Sequence, residues 1–315
     1  MPNSLTIAVL CEEEQTRNSI ANKIGKKASS DDLSFYHTVF SGKIINVVQP
    51  AAYPGKLSSL LESINLCDVA LVVADKLSAP LGEIIVSLSL MKIPTIFISN
   101  IDLTKILNGT NLKESKIFND EQSAIEYLLS IEPKLIEGSP VAYIDHCFEV
   151  KGVGTVALGV VKQGEIKVHD KLTAYSQDIP IEIKSIQKND ADVLVSTSSD
   201  RVGLAIKGAK SDQIPRGTIL SEKPIVVTTK ISGNFSISPF VKEIPKENDV
   251  IHGGIGLNLQ PARIIKVQKN DNEYDMDLEF EKPIAFAEFS QLLICNLNAK
   301  TLRVLGISSK IRQTV

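Results

Sequence analysis

VAYIDHCFEVKGVGTVALGVVKQGEIKVHDKLTAY (residues 141–175) and DRVGLAIKGAKSDQIPRGTIL (residues 200–220) are the stretches on which the reading of the chain turns. In both, short β-branched runs alternate with glycine-containing turns, at Gly152, Gly154, Gly159, Gly164, Gly203, Gly208 and Gly217. Closely spaced strands punctuated in this way predict a small β-barrel. No set of nucleophile, acid and base stands inside the segment, so the barrel carries no visible catalytic chemistry.

Four linked elements run through it. They are Gly152, Gly154, Thr155, Val156 and Gly159 in G-x-G-T-V-x-x-G; Gly164, Ile166, Val168 and Asp170 in G-x-I-x-V-x-D; Val202, Gly203 and Gly208 in V-G-x-x-x-x-G; and Arg216-Gly217. In this order and spacing they resemble the second domain of translational GTPases of the elongation factor Tu type. A four-part match across about 77 residues is far more specific than one motif. The resemblance implies a multidomain chain, α/β plus all-β: a GTPase-like (P-loop-type) α/β domain over 1–137, the barrel over 138–225 and a second small β-barrel over 226–315. It also implies contact with transfer RNA, at its aminoacyl end, or with the ribosome. The segment between Ala174 and Ser199 departs from the family pattern, so the contact residues do not carry over.

Upstream of the barrel, residues 1–137 alternate apolar runs with helical patterns, which predicts an α/β domain with a mostly parallel sheet. Strands are expected at 5–10, 69–74 and 95–98, helices at 15–26, 56–65, 82–91 and 121–129, and a hairpin at 33–40 and 43–48 turning at Ser41-Gly42. This order resembles the GTPase domain that precedes the barrel in elongation factors, and the residues which that chemistry needs can be checked in turn.

A phosphate cradle of the form G-x-x-x-x-G-K-S/T uses glycines for close backbone approach, a lysine on the phosphates and a hydroxyl on magnesium. Here the first strand runs into Cys11-Glu12-Glu13-Glu14-Gln15-Thr16-Arg17-Asn18: both glycines are gone, Arg17 stands for the lysine and Asn18 for the hydroxyl. Three glutamates beside a triphosphate of about four negative charges would cost on the order of several kcal/mol at ~4–6 Å. In the first turn of a helix the same charges are favourable. The D-x-P-G-H turn becomes Ala52-Tyr53-Pro54-Gly55-Lys56, and N-K-x-D becomes Ser99-Asn100-Ile101-Asp102, in which Asp102 alone survives and equally suits a cap or turn. The S-A-K/L motif is replaced near Asn119-Asp120-Glu121, which also reads as a cap. The expectation is a GTPase fold retained as a scaffold: no catalytic residues, no metal and no cofactor. GTP with magnesium at the degenerate positions Arg17, Asn18, Asn100 and Asp102 is the alternative.

Downstream, residues 226–315 read as strands again, at 226–232, 255–267, 276–281, 285–289, 292–297 and 301–311, enough for a second barrel. The tail EKPI…LLICNLNAKTLRVLGISSKI resembles the third domain of the selenocysteine-specific elongation factor (SelB) branch. Its Lys300, Arg303, Lys310 and Arg312 have no acid among them, so a cationic last strand joins Arg201 and Arg216 as candidate RNA contacts.

At 43% hydrophobic and 23% charged residues the 315-residue chain is of ordinary globular composition. No apolar run approaches the roughly 20 residues of a spanning helix, and no basic region precedes an apolar stretch at the N-terminus, so a cytoplasmic protein without a membrane role is expected. The cysteines Cys11, Cys67, Cys147 and Cys295 are too scattered for a metal site or a disulfide framework and are expected to be buried thiols. Net charge is −3 overall, and −4, 0 and +1 over the three segments, so no strong field draws in nucleic acid and no DNA partner is expected. Three functions follow: a non-hydrolysing elongation-factor-like protein binding tRNA or the ribosome through its barrels, a scaffold for a protein of the translation machinery, or an active GTPase with an aberrant pocket.

Overall fold

The computed structural model describes residues 4–175 and 177–314. The first domain is built from β1 (Ser4–Leu10), α1 (Glu14–Ile24), β2 (Lys26–Ser30), β3 (Ser34–Phe40), β4 (Lys43–Gln49), α2 (Leu57–Leu66), β5 (Val69–Val73), α3 (Ala79–Met91), β6 (Thr95–Ile98), α4 (Thr104–Leu107), β7 (Lys116–Phe118) and α5 (Glu121–Leu129). Its sheet runs β2-β3-β4-β1-β5-β6-β7, parallel from β4 to β7 and antiparallel at β2 and β3. The central strands are apolar on both faces because helices cover both. Ile20, Ala21, Ile24 and Leu128 lie on one side with Ile7 and Val47; Leu60, Ile64, Ile84 and Leu88 lie on the other with Ala8 and Val48.

The expected hairpin, α2 and α5 are present. Three short elements depart from the expectation. The first helix stops at Ile24, and residues 26–30 leave it as the edge strand β2, fully exposed. Gly25 makes that exit possible, since a Cβ there would meet the backbone of His37 at 2.9–3.3 Å. The other two, α4 and β7, are too short for a period to show.

The second domain is a closed barrel. It comprises β8 (Val141–Val150), β9 (Gly154–Gln163), β10 (Glu165–Lys167), β11 (Lys171–Tyr175), β12 (Ile179–Lys188), β13 (Ala191–Val193), β14 (Val195–Thr197), β15 (Arg201–Lys207) and β16 (Ile219–Ser221). Around the ring stand β11, β16, β8, β9, β15 and β12, and β12 pairs back to β11. Its interior is filled by Ile144, Val161, Ile166, Leu172, Ile183, Leu204 and Leu220.

The last domain holds β17 (Val226–Ile237), β18 (Val250–Ile255), β19 (Asn258–Asn270), β20 (Glu273–Phe286), β21 (Leu292–Cys295), β22 (Val304–Ser308) and β23 (Ile311–Gln313). Six of these, β20, β19, β18, β21, β22 and β17, form a second ring closed by the β17–β20 pairing. The run expected at 255–267 is split at Gly256, whose φ of 56° turns the chain from β18 into β19. Residues 276–289, read as two strands, contribute to one long strand, β20, which ends at Phe286.

A single apolar cluster crosses all three domains, from Leu60, Leu81 and Ile84 through Val141, Tyr143 and Ile219 to Leu293, Cys295, Val304 and Ile307. The cysteines are free thiols, three buried and Cys147 half-buried. Among the described residues no helix is long and apolar enough to cross a membrane.

In the first barrel, Gly159 on β9 stands opposite Ile144 on β8, and a Cβ there would collide with the Tyr143 carbonyl oxygen. Gly159→Ala is expected to destabilise the protein by about 1–3 kcal/mol, the usual cost of overpacking; denaturant melts followed by circular dichroism measure it.

Candidate functional site

Open α/β sheets bind ligands at the carboxyl edge of their strands. Here that edge lies where β1 ends at Leu10 and where β4 ends at Gln49. Arg17, in the second turn of α1, turns its side chain back into this space and is 0% exposed. All five of its N–H donors are used. Nη1 donates to the carbonyls of Cys11 at 2.6 Å and Glu12 at 3.0 Å, Nη2 to those of Tyr53 at 2.9 Å and Ala51 at 3.4 Å, and Nε to Gln49 Oε1 at 3.0 Å. Burial pulls the guanidinium below its ordinary pKa, but arginine starts so high that it remains a cation.

The neighbouring groups complete the network. Gln49 Nε2 donates to Asn18 Oδ1 at 2.6 Å, and the Tyr36 hydroxyl donates to the same oxygen at 2.9 Å. Glu12 and Glu13 face Lys76, at 3.7 and 3.1 Å, and Glu14 opens α1. Lys56, at the position of the histidine of D-x-P-G-H, is held by Asp32 at 2.9 Å. Asp102 lies apart, in the turn after β6: hydrogen bonds from the Thr104 hydroxyl and then from the Thr104 amide, 2.9 Å from Oδ1, hold the carboxyl below its usual range. Asn100 beside it is exposed. Of the four positions named from the sequence, the fold brings Arg17 and Asn18 together and leaves Asn100 and Asp102 in a separate turn. Gln49 was missed; an amide closing the strand run KIINVVQ was its signal. Among the described residues no group of three or more His, Cys, Asp or Glu side chains is arranged to hold a metal ion.

Three of the six candidate RNA-binding cations have protein partners across domain boundaries. Arg201 pairs with Asp145 in the same barrel, its Nη2 at 3.0 Å from Oδ1, and stacks 3.6 Å from the ring centroid of Phe35 on β3. Arg216 pairs with Glu62 on α2. Arg303 pairs with Glu83 on α3, Nε to Oε1 at 2.9 Å, and donates from Nη2 to the Pro54 carbonyl at 3.0 Å. Lys300, Lys310 and Arg312 are exposed. In sequence the last two have no acidic neighbour, but β23 pairs with β17, which brings Arg312 to the same surface cleft as Asp275 and Asp277 of β20.

A cleft of about 120 Å³ separates the β2–β3 edge from the first barrel; Ser29, Asp31, Phe35, Asp145, His146 and Arg201 line it. Behind it, burial pushes the Glu62 carboxyl up to about 7, against the pull of Arg216, with Asp32 and Asp145 adding to the rise. A carboxyl raised from 4.5 to about 7 on folding binds more protons in the folded chain, so its contribution is present below about pH 4.5 and is lost as pH rises to about 7. Between pH 5.5 and 7.5 the wild type is expected to lose about 2 kcal/mol relative to Glu62→Gln. Paired denaturant melts at the two pH values test this.

Comparison with known proteins agrees with this architecture. The family model for elongation factor Tu domain 2 matches residues 154–221. An uncharacterised protein of Methanocaldococcus jannaschii, MJ0325, is 31% identical over 91% of this chain and 94% of its own length. The selenocysteine-specific elongation factor of the same organism is 29% identical over 91% of this chain and 72% of its own. The crystal structure of translation elongation factor SelB from Methanococcus maripaludis, in complex with the GTP analogue GppNHp, superposes with a TM-score of 0.84 at 23% identity, covering 98% of this chain and 79% of that one. The chain belongs to the translational GTPase family of elongation factor Tu and SelB type.

Proposed function

We propose that the chain is an elongation-factor-like protein that does not hydrolyse GTP and that binds tRNA or the ribosome through its β-barrels. The observation that carries the first half is Arg17: its guanidinium fills the carboxyl edge of the sheet and spends all five donors on protein oxygens. The groups around it are carbonyl oxygens, whereas anion sites present N–H groups. With Glu12 and Glu13 at the rim, the edge is built around a cation, the Arg17 guanidinium, and opposes a triphosphate.

The second half rests on the barrel that matches the family model and on the relatives named as elongation factors. In this reading the cleft beside His146 and Asp145 receives the aminoacyl end, and the exposed Lys300, Lys310 and Arg312 are the cations left to meet phosphate. The protein acts in the cytoplasm, where translation takes place. A second reading, a scaffold for a protein of the translation machinery, is favoured by one observation: Arg201, Arg216 and Arg303 are engaged in ion pairs, which lowers the charge available to RNA.

Two measurements separate these readings. Calorimetric titration with GTP or GDP and magnesium is expected to show no binding; micromolar affinity would restore the GTPase reading. Filter binding of bulk aminoacyl-tRNA across a salt series is expected to show weak retention that falls with salt, because each phosphate contact releases counterions. Retention that is absent or independent of salt would leave the protein scaffold.

A further inference from the structure

We infer that Arg17 acts as a built-in ligand: by occupying a nest of carbonyl oxygens it fixes the turn after β4 and, through that turn, pins both barrels in one arrangement that needs no nucleotide. The nest draws on two segments far apart in sequence. Cys11 and Glu12 supply oxygens from the end of β1, and Ala51 and Tyr53 supply them from the turn after β4. Carbonyl dipoles that converge on one point repel each other unless a cation lies between them. Without the guanidinium these oxygens lose the partner that holds the two segments together.

The turn is gripped from its other side by the second barrel. Pro54, next to the Arg17-bonded Tyr53, gives its carbonyl to Arg303, which also clamps Glu83 through Nε and its backbone amide at 2.9 and 3.1 Å. The Tyr53 ring, 2% exposed, lies in the apolar cluster that crosses the domains, and its hydroxyl donates to the Pro80 carbonyl at 2.8 Å. The first barrel is tied to the same region, since α2 begins directly after the turn and its Glu62 holds Arg216. Arg17, Tyr53, Pro54 and Arg303 thus form a continuous link from the carboxyl edge of the sheet to the far barrel. Removing one member of such a network leaves its buried partners unsatisfied.

Hydrogen–deuterium exchange on the full chain tests this. In Arg17→Ala, amides of the turn (Tyr53, Lys56) and of the far barrel (Arg303 to Ile307) are expected to lose protection together, by about tenfold or more. Guanidinium ion at 10 mM, but not sodium at the same concentration, is expected to restore protection in Arg17→Ala by refilling the nest. Wild type with millimolar GTP and magnesium is expected to exchange as it does without them. Faster exchange confined to the turn, with residues 303–307 unchanged, would reduce Arg17 to a local filler and overturn the inference. So would failure of guanidinium to rescue a variant that remains folded by circular dichroism, or a change in wild-type exchange on adding GTP. If Arg17→Ala does not fold, Arg17→Lys decides: three donors reach at most three of the five acceptors, so coupled partial loss at both segments supports the link and loss at the turn alone refutes it. RNA binding enters none of these outcomes.

Discussion

A guanidinium held under five oxygen acceptors, with no solvent in contact, is the constraint on which the first domain depends. Taking a charge out of water is costly unless every donor finds an acceptor. Arg17 meets that condition only if the end of β1, the side chain of Gln49 and the turn after β4 stand where they do. The geometry that satisfies the cation also decides what the sheet edge can hold. Oxygens that face inward around a positive charge let the same side chain close the turn and set the electrostatics of the sheet edge.

The linkage between domains follows one pattern. Arg201 stacks on Phe35, Arg216 pairs with Glu62 and Arg303 pairs with Glu83, each reaching from a barrel to the first domain. A further polar seam joins the amino end of β1 to the first barrel: the Asp68 carboxylate accepts from the Thr6 amide at 2.8 Å and the Ser199 hydroxyl at 2.9 Å, while buried Asp200 takes Lys188 at 2.8 Å. Ion pairs that are half-buried and fixed by a second contact are worth more than exposed ones. They supply direction to an interface whose bulk energy comes from the shared apolar cluster.

Much of the fold was legible in the chain because it depends on local periods. Strand β1, the β3–β4 hairpin, α2 and α5 follow from apolar spacing and turn residues, and the first barrel from its glycine rhythm. Strand β2 was not legible, since KKASS has no strand pattern and becomes a strand only by pairing with β3. The division of 255–267 at Gly256 was hidden for a related reason: a run of strand formers does not show where a ring must turn back. At the site, loss of the phosphate-binding glycines could be read residue by residue, but Arg17 read as a substitute for lysine. Its backward course toward backbone carbonyls depends on residues 34 to 36 positions away.

From sequence come the family, the order of one α/β domain and two barrels, and the departure of residues 11–18, 52–56 and 99–102 from the family's nucleotide-binding motifs, because each is a matter of residue type at short spacing. Tertiary structure alone decided that the Arg17 side chain lies in the carboxyl edge of the sheet, and that Arg201, Arg216 and Arg303 join domains. Those outcomes rest on which carbonyl or carboxylate lies within about 3 Å of a guanidinium, and partners such as Glu83 and Arg303, 220 residues apart, meet only once the chain has folded.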